Sequence, residues 1–192
     1  MTDKELLIQI RRETGAGIVD IKDALEEAAG DKAKAIEILR KKGQKIAAKR
    51  AERTAGEGWI GSYVHHTGKV AGLVKLQCET DFVARNNEFQ ELAHDLALQV
   101  VASNPSYLRR EDVPAEIINK EKEIYSEEVK GKPAEVLEKI TQGKLEKFYS
   151  EVCLLDQPFI KDDEMTVKQV VEQATAKTGE KIEVTGFYRL QI

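Results

Sequence analysis

Nine residues, Val70-Ala71-Gly72-Leu73-Val74-Lys75-Leu76-Gln77-Cys78, constrain this chain more than any other stretch. They form an apolar, β-prone run of strand length. Soon after, from Glu88 to Ala102, Phe89, Leu92, Ala93, Leu96 and Val100 recur at the spacing of one helical face. A strand passing into an amphipathic helix across a short corner sets an α+β core. The corner itself, Glu79-Thr80-Asp81-Phe82-Val83-Ala84-Arg85-Asn86, places an acid beside a large aromatic ring. Two readings are open. Either Thr80 or Asp81 caps a helix and Phe82 folds into the core, or the pair is presented to a partner. Residue chemistry alone favours the first.

The rest of the chain arranges itself around that core. Residues 1–43 read as three short helices. Thr2 and Glu5 have capping-box spacing, and Leu6, Leu7 and Ile10 give an apolar face. Gly15 and Gly17 break the chain; a second helix carries Ile18, Ile21, Leu25 and Ala28 and stops at Gly30. Asp31 caps a third, with Ala35, Ile36 and Leu39 inward and Gly43 as its stop. Residues 44–57 shift to Ala, Lys, Arg and Glu and read as a basic helical linker. Residues 58–192 form the core domain. There Trp59–His65 and Val70–Cys78 make an antiparallel hairpin around His66-Thr67-Gly68-Lys69, and Lys181–Leu190 adds a third strand. Asn104-Pro105 halts the long helix, and Asp112-Val113-Pro114 starts another that ends at Gly131-Lys132-Pro133. Two short helices follow around Gly143. Whether residues 115–151 protrude as a hairpin stays open. Thr166 and Gln169 open a last helix.

Composition excludes several classes. At 192 residues the chain holds a medium domain and a small one. No apolar run approaches the ~20 residues of a membrane span, and no secretory signal pattern precedes the first helix. A net charge of -4 argues against a general nucleic-acid binder. The Lys45, Lys49, Arg50, Arg53 tract is interrupted by Glu52 and carries no stacking ring, so no direct nucleic-acid contact is expected. Cys78 and Cys153 make no disulfide framework, and a reducing cytoplasm is the simplest compartment. Gly15-Ala16-Gly17 follows no strand and precedes no Gly-Lys-Ser or Gly-Lys-Thr, so it is not a phosphate loop. His65 and His66, adjacent on a strand, should point to opposite faces, with no carboxylate or Cys at ligand spacing. No metal, no cofactor and no catalytic residue is expected.

Three separated motifs carry a resemblance. Thr80-Asp81-Phe82-Val83-Ala84-Arg85-Asn86 resembles the signature of the elongation factor Ts family, the bacterial and organellar nucleotide-exchange factors for elongation factor Tu. Thr14-Gly15-Ala16-Gly17-Ile18-Val19-Asp20 and Gln157-Pro158-Phe159 match the same family in the same order. That resemblance implies a ubiquitin-associated-like three-helix module at residues 1–43. It also implies a guanine-nucleotide exchange factor that binds elongation factor Tu·GDP and disrupts its Mg²⁺ and phosphate site, so that GDP leaves and GTP can bind. The residues it assigns to partner binding are Thr80, Asp81, Phe82, Val83, Arg85, Asn86, Ile18 and Val19. Phe82 is the implied wedge beside the metal, Asp81 perturbs the local polar network, and Arg85 is a rim contact. Ile18-Val19 resembles an N-terminal docking patch where family members often carry methionines. Gln157-Pro158-Phe159 is read as core packing in preference to contact. The chain has one β-rich core and no internal repeat, like the family's short form. That form, and a small sheet with unpaired edges, imply a homodimer and a 2:2 complex.

Two rival readings keep the same fold. In one, residues 1–43 are an adaptor for an unrelated partner helix. In the other, the Lys41–Arg53 tract binds RNA on the ribosome, with steep salt dependence.

Overall fold

The computed structural model describes residues 3–128 and 134–192. In chain order the helices and strands are α1 (Asp3–Thr14), α2 (Ile18–Glu27), α3 (Lys32–Arg50), β1 (Glu57–Val64) and β2 (Val70–Cys78). There follow α4 (Asp81–Ala84), α5 (Asn87–Ser103), α6 (Ala115–Glu128) and α7 (Ala134–Val152). The chain closes with β3 (Pro158–Phe159), β4 (Asp162–Thr166), α8 (Val167–Thr178) and β5 (Glu183–Gln191). The expected α+β class holds: a small three-stranded sheet of order β1-β2-β5 accompanies the helices. The Thr2 cap and the Gly131-Lys132-Pro133 stop lie outside the described residues. Two compact units emerge, and each strand of the larger sheet contributes residues to both.

The first unit comprises residues 1–60, 75–93 and 169–184. Its N-terminal helices close a core of Ile10, Ile21, Ala24, Ala28, Ala35 and Leu39, with Leu6, Leu7, Leu25 and Ile36 packed against it. Of the apolar positions read from the sequence only Ile18 turns outward, and Ala24 takes an inward place that the sequence reading did not name. Asp31 caps α3 by accepting from the Lys34 amide at 3.1 Å. Gly43 does not stop that helix. It is buried inside α3 against Ala176 of α8, and the helix runs on to Arg50. Glycine inside a helix costs about 1 kcal/mol against alanine, which packing readily overrides. Leu76, Cys78, Ala84, Phe89, Ala93, Val171, Ile182 and Val184 are buried in the same unit.

The second unit comprises residues 61–74, 94–168 and 185–192. The second half of α5 lies close over the sheet. A Cβ on Gly72 would stand 2.6 Å from the Ala97 carbonyl, so only glycine fits there. Leu96, Ala97, Val100, Leu108, Leu154, Phe159 and Met165 are buried. Asn104 takes a left-handed conformation (φ +47) after α5, and Pro105 follows, the stop that the sequence announced. α7 is one helix, not two, because a single glycine at 143 among good helix formers does not outweigh propagation. It packs against α6 in a helical hairpin, with the Lys144 ammonium 5.3 Å from the Tyr125 ring centre. Arg110 pins the approach to this hairpin. It bonds Asp156 at 2.7 Å and Glu146 at 2.9 Å, and lies 4.9 Å from the Tyr149 ring centre. The β3–β4 hairpin was not anticipated; its strands are too short for any period to show.

His65 and His66 depart from the expected alternation. β1 ends at Val64, so both lie in the turn, where their rings stand 4.1 Å apart and His65 Nδ1 meets Thr67 Oγ1 at 2.9 Å. Cys78 and Cys153 are free and buried, and burial pushes both thiols up to about 11. Among the described residues no helix is long and apolar enough to cross a membrane, and no three His, Cys, Asp or Glu side chains gather as a metal group.

Candidate protein-binding site

The corner after β2 is built from the strand outward. The Cys78 thiol donates to the Thr80 carbonyl at 3.1 Å, folding the chain back on itself. Glu79 turns inward. Its carboxylate accepts from the Lys181 amide at 2.6 Å and pairs with Arg53 at 3.1 Å and Arg50 at 3.5 Å. The Lys181 amide, with the two guanidiniums behind it, holds this carboxyl below the usual carboxylate range. Two cations of the basic tract, Arg50 and Arg53, are thus paired within the chain.

Thr80 occupies the N-cap position of α4, yet its hydroxyl does not cap the helix. It donates to Glu180 Oε1 at 2.7 Å while its amide donates to Glu180 Oε2 at 3.0 Å, a two-point grip. α4 then makes one turn. Ala84 points into the core, whereas Phe82 is 83% exposed. The reading in which Phe82 folds into the core is therefore wrong. The helical face is already supplied by Ala84 and, after the turn, by Phe89, and a one-turn helix has only one inward direction to offer. Asp81 and Arg85, the residues on either side of this turn, pair at 3.2 Å, Arg85 largely open to solvent and Asp81 about half so. Val83 is half-buried. Asn86 caps α5, accepting from the Glu88 amide at 2.9 Å.

The N-terminal corner is equally specific. Thr14 donates to the Ile10 carbonyl at 2.7 Å and accepts from the Ala16 amide at 3.3 Å, closing α1. Gly15 sits at φ +66, a conformation that a side chain resists. α2 opens at Ile18, leaving Ile18 49% and Val19 71% exposed while Ile21 is fully buried. A solvent-facing aliphatic pair thus stands at the start of α2, with the core side filled by Ile21.

The two corners border one groove. A cavity of about 250 Å³ is lined by Thr14 and Gly15 from the first, Asn86 and Phe89 from the second, and Gln173 and Lys177 from α8. Two ion pairs stand at its rim: Lys177 with Glu88 at 2.7 Å and Glu13 with Lys32 at 2.7 Å. Glu180, Gln173 and Lys177 are the residues that sequence reasoning missed. They lie about a hundred residues or more from what they hold, and no local period or cap signals such a bond.

Gln157 is a packing residue. It is buried and fully bonded: its amide donates to the carbonyls of Glu151 at 3.0 Å and Ser103 at 3.4 Å, and its oxygen accepts from Gln99 Nε2 at 3.1 Å. Phe159 beside it is buried too.

In the second unit one face of the sheet stays open. The Ile192 amide on the Lys69 carbonyl (3.0 Å) and the His65 amide on the Val70 carbonyl (2.9 Å) set the registers. Tyr188, Leu190, Val64 and Leu73 are all exposed.

Comparison with known proteins supplies relatives for this arrangement. The family model described as "Elongation factor TS" matches residues 10–192. The chain is 55% identical over 188 residues to elongation factor Ts of Thermotoga petrophila, covering 98% of this chain and 94% of that one. It is 54% identical over 190 residues to elongation factor Ts of Fervidobacterium nodosum, at 98% and 96% coverage. Against elongation factor Ts of Carboxydothermus hydrogenoformans the identity is 50% over 194 residues, at 100% and 89%.

Proposed function

The chain belongs to the elongation factor Ts family, and on that premise we propose that it is a guanine-nucleotide exchange factor for elongation factor Tu. The observation that carries the proposal is the exposure of Phe82 at a corner where Glu79 and Thr80 are hydrogen-bonded and Ala84 is buried. A GTPase holds GDP through backbone amides of a phosphate loop and through Mg²⁺ bridging phosphate and protein oxygens. A partner with no nucleotide site can still eject GDP if it binds the empty GTPase more tightly than the loaded one. Each tenfold acceleration asks for roughly 1.4 kcal/mol of that difference, and a thousandfold for about 4 kcal/mol. One aromatic hot spot and a repositioned charge lie within that range. Phe82 is the wedge at the metal site, Asp81 draws the polar network there out of place, and Arg85 frames them. Thr80, Val83 and Asn86 shape and support the ridge. Ile18 and Val19, on the ubiquitin-associated-like N-terminal module, dock a second patch of the same GTPase. The reaction is coupling of two binding equilibria in the cytoplasm, without covalent chemistry.

The open sheet face supports a homodimer and hence a 2:2 complex: Tyr188, Leu190, Val64 and Leu73 would meet their counterparts in a second copy. The test is release of a fluorescent GDP from elongation factor Tu in stopped flow. Acceleration that rises with the concentration of this chain is expected. A release rate that stays at its spontaneous value across that titration would refute the reading.

A further inference from the structure

One short segment touches the supports of both exposed apolar groups. On α8, Gln173 Nε2 donates to the carbonyls of Glu13 at 3.2 Å and Thr14 at 3.1 Å. One turn later the Lys177 stem lies over Gly15, so close that a Cβ there would fall 2.8 Å from Lys177 Cδ. Its ammonium reaches across to Glu88 at the start of α5. Gly179, at φ +71, turns the chain, and Glu180 grips Thr80 through both carboxylate oxygens. The Lys181 amide then bonds Glu79, and the Ile182 amide donates to Thr175 Oγ1 at 3.1 Å, tying the turn back to the helix.

We propose that residues 173–181 act as a strut that fixes the spacing between Ile18-Val19 and Phe82, with Gln173, Lys177 and Glu180 as positioning residues. The geometry of the proposal stands alone; its consequence rests on the exchange-factor reading. The N-terminal helices close their own core, so their fold does not require the strut. The bonds to Glu13 and Thr14 meet the chain at the loop that aims Ile18 and Val19, and the bonds to Thr80 and Glu79 meet it where Phe82 is aimed. Two patches held at one distance engage a rigid partner as a single bivalent surface, because the second contact forms at high effective concentration. If that distance wanders, the second patch contributes little, although every contact residue is still present.

The experiment places spin labels on Asp23→Cys in α2 and Glu91→Cys in α5, both exposed sites. Cys78 and Cys153 are buried and stay unlabelled. Pulsed dipolar spectroscopy on the full chain should give one narrow distance, kept in Lys177→Arg and broadened in Gln173→Ala/Lys177→Ala. GDP release from elongation factor Tu supplies the second readout, at factor concentrations below saturation. The double variant should lose about tenfold at an unchanged thermal midpoint, and Lys177→Arg should keep most of the rate. Adding Ile18→Ala/Val19→Ala should cost about tenfold in the parent and under about twofold in the double variant. A distance that stays narrow in the double variant overturns the strut. So does a broadened distance with undiminished exchange. If the parent itself fails to accelerate GDP release, the exchange reading falls and the distance arm alone decides the strut.

Discussion

Phe82→Ala separates a contact residue from a folding residue. The ring is 83% exposed, so truncating it removes almost no buried apolar surface and leaves no cavity. The expected change in unfolding free energy is within about 0.5 kcal/mol, the range of an ordinary surface substitution. Set against this is what the ring gains on entering a partner. Fully burying a phenylalanine side chain contributes about 1.5–3 kcal/mol. If that burial occurs with the nucleotide-free GTPase and not with the GDP-bound form, all of it appears in the exchange rate. At roughly 1.4 kcal/mol per tenfold, the loss is about tenfold to 150-fold in GDP release. The assay pairs denaturant unfolding of parent and variant with stopped-flow release of labelled GDP. Phe82→Leu, which keeps much of the apolar area, should recover part of the rate. A variant destabilised by more than about 2 kcal/mol with an unaltered exchange rate would refute the reasoning, since it would make Phe82 a core residue.

Three further outcomes follow from the same geometry. Glu79 is held below its ordinary range in the folded chain. Its pairing therefore stabilises above about pH 4.3, its unfolded value, and is lost as pH falls through the lower folded value. The melting-temperature gap between parent and Glu79→Gln should be constant near neutrality and shrink only in acid; a gap that widens there would contradict the sign. Gln157→Ala removes one of the acceptors of Gln99 Nε2 and the donor to the Ser103 and Glu151 carbonyls, and should cost about 1–3 kcal/mol in urea unfolding while leaving the exchange rate per folded molecule unchanged. Tyr188→Glu/Leu190→Glu places charge on the open sheet face; sedimentation should show the parent as a dimer and the variant as a monomer of unchanged helix content.

Legibility followed the range of the interactions. Inward positions of α1–α3 and α5 recur at helical spacing, so Ile10, Ile21, Leu39, Leu96 and Val100 could be read from neighbours alone. The Asn104-Pro105 stop was readable for the same reason. Gly43 and Gly143 misled because a glycine's local cost is about 1 kcal/mol, and α3 meets that cost through packing against Ala176, seen only in three dimensions. At the corner, residue types announced a capped helix start, and Thr80 does stand at the cap position. Its hydroxyl is spent elsewhere, on Glu180, a hundred residues away in sequence. No local rule could have found that bond.

That diversion explains how a phenylalanine comes to be held in water. An exposed ring on a mobile loop would tend to collapse onto the nearest apolar surface, gaining burial at little cost. Here the collapse is blocked from both sides. Upstream, Glu79 and Thr80 are fixed by three hydrogen bonds to residues 180 and 181, so the strand end cannot rotate. Downstream, Ala84 is buried and Asn86 caps α5, so the helix that carries the ring cannot roll. With both ends set, the single turn of α4 has one phase, and that phase points residue 82 outward. The exposure is therefore enforced by polar bonds on either side of it. Glu180→Ala tests this directly: it should allow the ring to fold down, quenching the solvent accessibility of a probe at position 82 without unfolding the chain. If the probe stays equally accessible, the Thr80–Glu180 grip is not what holds the ridge, and the Lys181–Glu79 bond upstream with Ala84 and Asn86 downstream suffices.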